Sequence, residues 1–157
     1  MPAFAAVERV VESHTPEATR ELAARLAIVA QPGDLLCLLG DLGAGKTQFA
    51  KGFAAGLGVT TTVNSPSFVL MAEHAGRLPL FHLDLYRLAG AEDVLAGGLI
   101  DERQVAGVAL VEWAERLGSA TPAARLEVRI DGTGDEPRLI TLSATDESYR
   151  RYVEAAA

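Results

Sequence analysis

Apolar residues recur along this chain at several spacings, and each spacing predicts an element. Leu22, Leu26 and Val29, interleaved with Ala23, Ala27 and Ala30, lie three and four apart and form one stripe of a helix. Thr15-Pro16-Glu17 supplies its start: a capping hydroxyl, a proline at the first helical position and an acid in the first turn. Pro32-Gly33-Asp34 ends it. Leu35-Leu36-Cys37-Leu38-Leu39 follows, a continuous apolar run with the length of a buried strand and the first segment to read as one. Phe49, Phe53 and Leu57 then recur every four residues, as in a helix packed on a sheet, and Gly56 and Gly58 stop it. Beyond a β-prone connection over 60–64, segments 67–73 and 78–86 predict a hairpin around His74-Ala75-Gly76-Arg77. A short helix over 91–96 closes on Gly97-Gly98. A short strand spans 108–111, with a helical stretch over 114–117. Strands over 126–130 and 139–142 flank the turn cluster Asp131-Gly132-Thr133-Gly134-Asp135. Asp146 caps a final helix reaching Val153, and the Ala155-Ala156-Ala157 tail is expected to fray.

Between the first apolar run and the second helix lies Gly40-Asp41-Leu42-Gly43-Ala44-Gly45-Lys46-Thr47, which fits G-x-x-x-x-G-K-[ST] at every fixed position. The glycines let consecutive N–H groups converge on phosphate oxygens. Lys46 adds a point charge near the β- and γ-phosphates, and the Thr47 hydroxyl can ligate Mg²⁺. Strand, loop and helix in that order place a triphosphate at a helix N-terminus, where free N–H groups and the macrodipole favour anions. Basic residues here are overwhelmingly arginine, yet the loop carries one of only two lysines, Lys46 and Lys51.

Composition narrows the setting. A chain of 157 residues suits one domain, spanning 1–157. Hydrophobic residues make up 49%, but no stretch approaches the ~20 apolar residues of a membrane span. The N-terminus is soon charged and lacks the pattern of a secretory signal. The single cysteine, Cys37, rules out a disulfide framework and reads as a small core residue. A cytoplasmic protein without membrane attachment is expected. The formal net charge of −7 argues against a chain that grips nucleic acid by itself. His14, His74 and His82 have no zinc-ligand spacing, and no serine-hydrolase elbow appears.

The hairpins bear on fold class. An α/β kinase of this size would mainly alternate strand and helix. Here β-rich segments follow both the loop helix and the strand over 108–111. The expectation is an α/β P-loop domain with a mixed, largely parallel central sheet, flanked by helices and carrying antiparallel hairpins.

Two acids are candidates for chemistry. Residues 81–87 alternate strictly, with Phe81, Leu83 and Leu85 on one face and His82, Asp84 and Tyr86 on the other. Asp84 can orient water or support a metal at a strand end; the competing reading is a solvated face or an ion pair with Arg87. Glu112 ends an apolar strand, where an acid beside the loop strand completes a Mg²⁺ shell. The competing reading is an acid complementing the dipole of the helix that follows. Trp113, the only tryptophan, reads either as a core anchor or as a residue of the site. Ser65-Pro66-Ser67-Phe68 reads either as an ordinary turn or as a switch-like segment with hydroxyls facing a γ-phosphate.

With these pieces in order, the chain resembles the bacterial TsaE (YjeE) family of small P-loop ATPases. The carrying residues are the loop at 40–47, Ser-Pro-Ser-Phe at 65–68, His-Leu-Asp-Leu-Tyr-Arg-Leu at 82–88 and Val-Glu-Trp at 111–113. The resemblance implies an ATPase acting with the TsaB–TsaD pair to make N6-threonylcarbamoyladenosine at adenosine 37 of tRNAs reading codons that begin with A. TsaD would transfer the threonylcarbamoyl group, and ATP hydrolysis would reset the complex between turnovers. The tRNA would be reached only through the complex. By the same resemblance, Lys46 and the loop bind phosphate, Thr47 and Glu112 bind Mg²⁺, and Asp84 is the functional acid of its strand. Ser67 takes the switch-like position, Trp113 lies beside the site, and Thr19 approaches the nucleotide base. The family usually has Thr where this chain has Ser67, so the hydroxyl is kept and a methyl is lost. The choice of ATP over GTP comes from the resemblance, since no base-reading motif is evident.

Three functional readings stand. The first, which the resemblance implies, is ATP hydrolysis coupled to tRNA modification, slow in the chain alone because no arginine finger is evident. The second is a small-molecule kinase, which would need an arginine-bearing lid; Arg77, Arg87 and Arg103 form no compact cluster in the sequence. The third is a nucleotide-dependent assembly module in which hydrolysis is incidental.

Overall fold

A computed structural model describes residues 5–41, 43–64, 71–86 and 103–157. Among them, seven strands form one sheet in the order β1-β7-β6-β2-β5-β4-β3. Its centre is parallel: β6 (Leu126–Asp131), β2 (Leu35–Leu39), β5 (Val108–Glu112) and β4 (Leu80–Asp84) run the same way. Antiparallel partners extend both sides. β3 (Met71–His74) pairs with β4, and β7 (Arg138–Ala144) pairs with β6 and with β1 (Val7–Ser13). The mixed sheet and both hairpins are as expected. The short helix predicted over 91–96 and the segment 65–68 lie outside the described residues.

β2 and β5 as far as Val111 read as unbroken apolar runs because both faces of the sheet are covered there, whereas β6 alternates, with Arg129 and Asp131 exposed. Leu36, Leu38, Val108 and Leu110 point into a core shared with the helices α1 (Pro16–Ala27) and α2 (Lys46–Gly56). Leu35, Cys37, Leu39, Phe81, Leu83 and Val111 point to the other side, against Leu117 of a 3-10 segment, Ala114–Ala120. Burial pushes the Cys37 thiol up to about 12, so it stays a thiol at neutral pH. Iodoacetamide is expected to leave the native protein unmodified and to alkylate it once in denaturant, as mass spectrometry reads directly.

Helix α1 starts as its sequence predicts: the Thr15 hydroxyl accepts from the Ala18 N–H at 3.0 Å. It lies almost backbone to backbone on α2. A Cβ added to Gly52 would sit 2.2 Å from the Arg20 carbonyl oxygen, and one on Gly56 would sit 2.5 Å from that of Ala24. Gly52→Ala is therefore expected to destabilise the fold by about 1–3 kcal/mol, despite the better helix propensity of alanine. Urea unfolding measures it.

Two terminal features differ from the sequence reading. β1 is not predicted by periodicity. Its charges at Glu8, Arg9 and Glu12 interrupt any alternation, and only Ser13 is buried. It is an edge strand, registered Val7 to Ala144 through Ser13 to Arg138, and charges along an edge discourage further pairing. At the other end, Asp146 caps a 3-10 turn, Glu147–Tyr149, which leads into the C-terminal helix α3 (Arg150–Ala155). Ala156 packs into the core, so the tail is not frayed at that position. Asp34, at the head of β2, ties this end down: its carboxylate accepts from the Gln31 N–H at 2.9 Å, from Arg151 and from the Tyr152 hydroxyl.

Candidate functional site

Three parallel strands bring their C-terminal ends together. β2 ends at Leu39 and opens into the glycine loop; Leu38 is in register with Glu112, and Glu112 with Asp84. Gly40 leaves the strand at φ 139°, and a Cβ there would lie 2.3 Å from the Ile130 carbonyl oxygen of β6, so no side chain fits. Helix α2 then begins from Gly45, with no side-chain cap and no acid in its first turn. Helix α1, by contrast, has both. The start of α2 is thus left open to an external anion. Leu42 lies outside the described residues.

Lys46 is buried at the head of α2. Its ammonium donates to the carbonyls of Gly40 at 2.5 Å and Asp41 at 3.0 Å, and lies 4.1 Å from the centre of the Trp113 ring. Burial pulls its pKa below the usual lysine value, while Glu115, Glu112, Asp41 and Asp84 hold it partly up. A phosphate anion in the loop would favour the charged form and push the pKa back up. Nucleotide binding at alkaline pH is therefore expected to take up protons, seen as a dependence of binding enthalpy on the ionisation heat of the buffer.

Thr47 and Glu112 meet although they are 65 residues apart: the threonine hydroxyl donates to Glu112 Oε1 at 3.3 Å. The other carboxylate oxygen, Oε2, lies 2.5 Å from His82 Nε2. Glu112 thus faces the loop helix, and its side-chain hydrogen-bond partners among the described residues are Thr47 and His82. Asp84 and His82 are buried, so the polar face is not solvated at these two positions, while Tyr86 beyond them is exposed. The Asp84 carboxylate accepts from the Tyr86 N–H at 2.9 Å.

The donor set fits Mg²⁺. Two oxygens at right angles around one ion, each about 2.1 Å from it, lie about 3 Å apart, close to the Thr47–Glu112 separation. Among the described residues no cluster of three or more His, Cys, Asp or Glu could hold an ion alone. Mg²⁺ commonly takes one or two protein ligands and completes its shell with phosphates and water.

Trp113 follows Glu112 with φ 58°, the only non-glycine residue at positive φ among those described. Such a conformation costs of order 1–3 kcal/mol and tends to collect at functional sites. It turns the indole over Lys46 and against Tyr86, with ring centroids 4.9 Å apart. Trp113 is only partly buried, packed on the second core cluster rather than inside it.

A cavity of about 340 Å³ adjoins the loop, lined by Ser13, Thr15, Thr19, Gln48, Arg138 and residues 43–45 among others. Thr19 is buried, its hydroxyl 2.7 Å from that of Ser13. Arg138 is a site residue that sequence reading missed. From β7 it donates to the carbonyl of Ala44 at 3.0 Å, gripping the loop from the side. Nothing local marks it, since its partner lies 94 residues away. His82 differs: alternation puts it on the polar face of its strand, but its partner Glu112 lies 30 residues away.

The lysine, threonine and glutamate of the expected site stand together, with Trp113 over the lysine and Asp84 on the neighbouring strand. Ser67 lies outside the described residues. Of the arginines weighed for a lid, Arg77 instead closes the end of α1 by donating to the carbonyls of Ala27 and Ala30. Arg87 and the side chain of Arg103 lie outside the described residues.

The family model for threonylcarbamoyl adenosine biosynthesis protein TsaE matches residues 13–140. The chain is similar to the tRNA threonylcarbamoyladenosine biosynthesis protein TsaE of Bacillus subtilis, 46% identical over 140 residues, covering 88% of this chain and 87% of that one. The protein of the same name from Treponema pallidum is 40% identical over 113 residues, 72% of this chain and 84% of its own. The crystal structure of Bacillus subtilis YdiB superposes with a TM-score of 0.81 at 38% identity, covering 98% of this chain and 97% of that one.

Proposed function

Because the chain belongs to the TsaE family, we propose that it serves tRNA threonylcarbamoyladenosine biosynthesis as a Mg²⁺-dependent ATP hydrolase. One observation carries the enzymatic part of this reading. Lys46, Thr47 and Glu112, from a loop helix and a distant strand end, converge at the mouth of the phosphate loop.

In this reading the open start of α2 and Lys46 take the β- and γ-phosphates. Thr47 and Glu112 hold Mg²⁺, which when bound neutralises charge on the phosphate oxygens. Asp84 orients the attacking water or passes the nucleotide state to a partner surface. The cavity beside Thr19 and Arg138 has room for the nucleoside, and Trp113 covers the lysine. The partner we propose is the TsaB–TsaD complex, with ATP hydrolysis supporting its turnover. The acidic chain would meet tRNA only through that complex. No helix among the described residues is long and apolar enough to cross a membrane, and we place the protein in the cytoplasm.

Phosphate release from ATP tests the reading. The chain alone should hydrolyse ATP slowly and only with Mg²⁺, and the partner pair should accelerate it. If phosphate appears under neither condition, the chain is not a hydrolase and the assembly-module reading takes over. A kinase would instead consume ATP only when an acceptor is present.

A further inference from the structure

We propose that His82 is a positioning residue: it fixes the Glu112 carboxylate so that Oε1 is held toward Thr47 for a divalent cation. The proposal rests on the reading of Glu112 as a cation ligand.

His82 is wholly inaccessible to solvent, in the middle of β4. A polar ring there costs free energy unless its nitrogens are satisfied. Only one is. Nε2 lies 2.5 Å from Glu112 Oε2, and Nδ1 has no hydrogen-bond partner among the described residues. A carboxylate can only accept, so the hydrogen is assigned to Nε2, which donates. Leu80, two residues earlier on the same face, belongs to the apolar core, so packing alone would be served as well by a leucine or phenylalanine. The one thing the histidine adds is its bond to Glu112.

That bond has a geometric consequence. With Oε2 anchored, the carboxylate cannot swing about its last side-chain bond, and Oε1 stays within reach of the Thr47 hydroxyl at 3.3 Å. A ligand pair already in place loses less entropy when the cation arrives. Outer partners of this kind commonly change metal affinity about 10–100-fold. The strand register makes the contact possible: Asp84 pairs with Glu112, so His82 lies one same-face step back along the neighbouring strand.

The test is titration calorimetry of ADP into the full chain, across a series of Mg²⁺ concentrations and in EDTA. Glutamine can present an N–H where His82 Nε2 stands; asparagine presents its amide where Nδ1 stands, and phenylalanine fills the ring's space without nitrogen. His82→Asn and His82→Phe are expected to raise the Mg²⁺ concentration giving half of the magnesium effect by about 10–100-fold. His82→Gln should stay near the unsubstituted protein, and ADP affinity in EDTA should be the same for all. Circular-dichroism melts identify any variant that does not fold, and either Asn or Phe suffices against Gln. Glu112→Gln is the reference arm. If it abolishes the magnesium effect while the folded His82 variants keep it, Glu112 is a ligand and the proposal for His82 is overturned. If Glu112→Gln also leaves the effect intact, the reading of Glu112 falls and the proposal falls with it.

Discussion

Lys46→Ala is expected to lower ATP turnover by about 10²–10³-fold, the usual effect of removing one preorganised charge stabiliser from a transition state. Phosphoryl transfer asks little covalent chemistry of the protein, so positioned charge dominates. Lys46 is poised for that role at some cost to folding. Its ammonium is buried, held by two loop carbonyls and the face of Trp113, and its pKa is drawn down by that burial. A melting curve of the variant shows whether the fold survives the loss of the two carbonyl bonds and the Trp113 contact. Loss of turnover with an intact melt separates a site residue from a structural one. Steady-state phosphate release with the partner pair, beside a melting curve, measures both. Normal turnover by Lys46→Ala would place the phosphate site elsewhere.

Glu112→Gln is expected to weaken Mg²⁺ by at least about 10–100-fold, the range seen when even an outer partner of a metal ligand is lost. The substitution is nearly isosteric. Its amide oxygen can still accept from Thr47, so the β5 end and the α2 contact should survive. What disappears is the negative charge and a hard oxygen anion at the cation position. Nucleotide affinity in EDTA should not fall, while the gain produced by magnesium should. Retained magnesium dependence would show that the cation is held without Glu112, against the pairing of Glu112 with Thr47 at 3.3 Å.

The glycine loop was legible because its chemistry is contiguous: eight adjacent residues, between a buried-strand run and a helix, determine it. The two hairpins were legible from turn residues, and the start of α1 from Thr15-Pro16-Glu17. β1 was hidden because its one strand partner among the described residues, β7, lies more than a hundred residues away and its edge position demands no clean alternation. The strand of His82 and Asp84 shows a subtler limit. Alternation separates two faces but does not say what covers them, and here His82 and Asp84 on the polar face are both buried. Glu112 was readable as a strand-end acid. Its two partners come from 65 and 30 residues away, and only the sheet register brings them to it. Arg138 follows the same logic: an arginine after a turn is unremarkable until the fold lays it against the loop.

The central claim is that nucleotide turnover at this loop sustains threonylcarbamoyladenosine synthesis. Its most direct test is multiple-turnover synthesis of the modified adenosine from purified components, run with this chain, without it, and with Lys46→Ala in its place. The account predicts sustained product only with the unsubstituted chain, and stalled synthesis in the other two reactions. Sustained synthesis without the chain, or with Lys46→Ala, would contradict it.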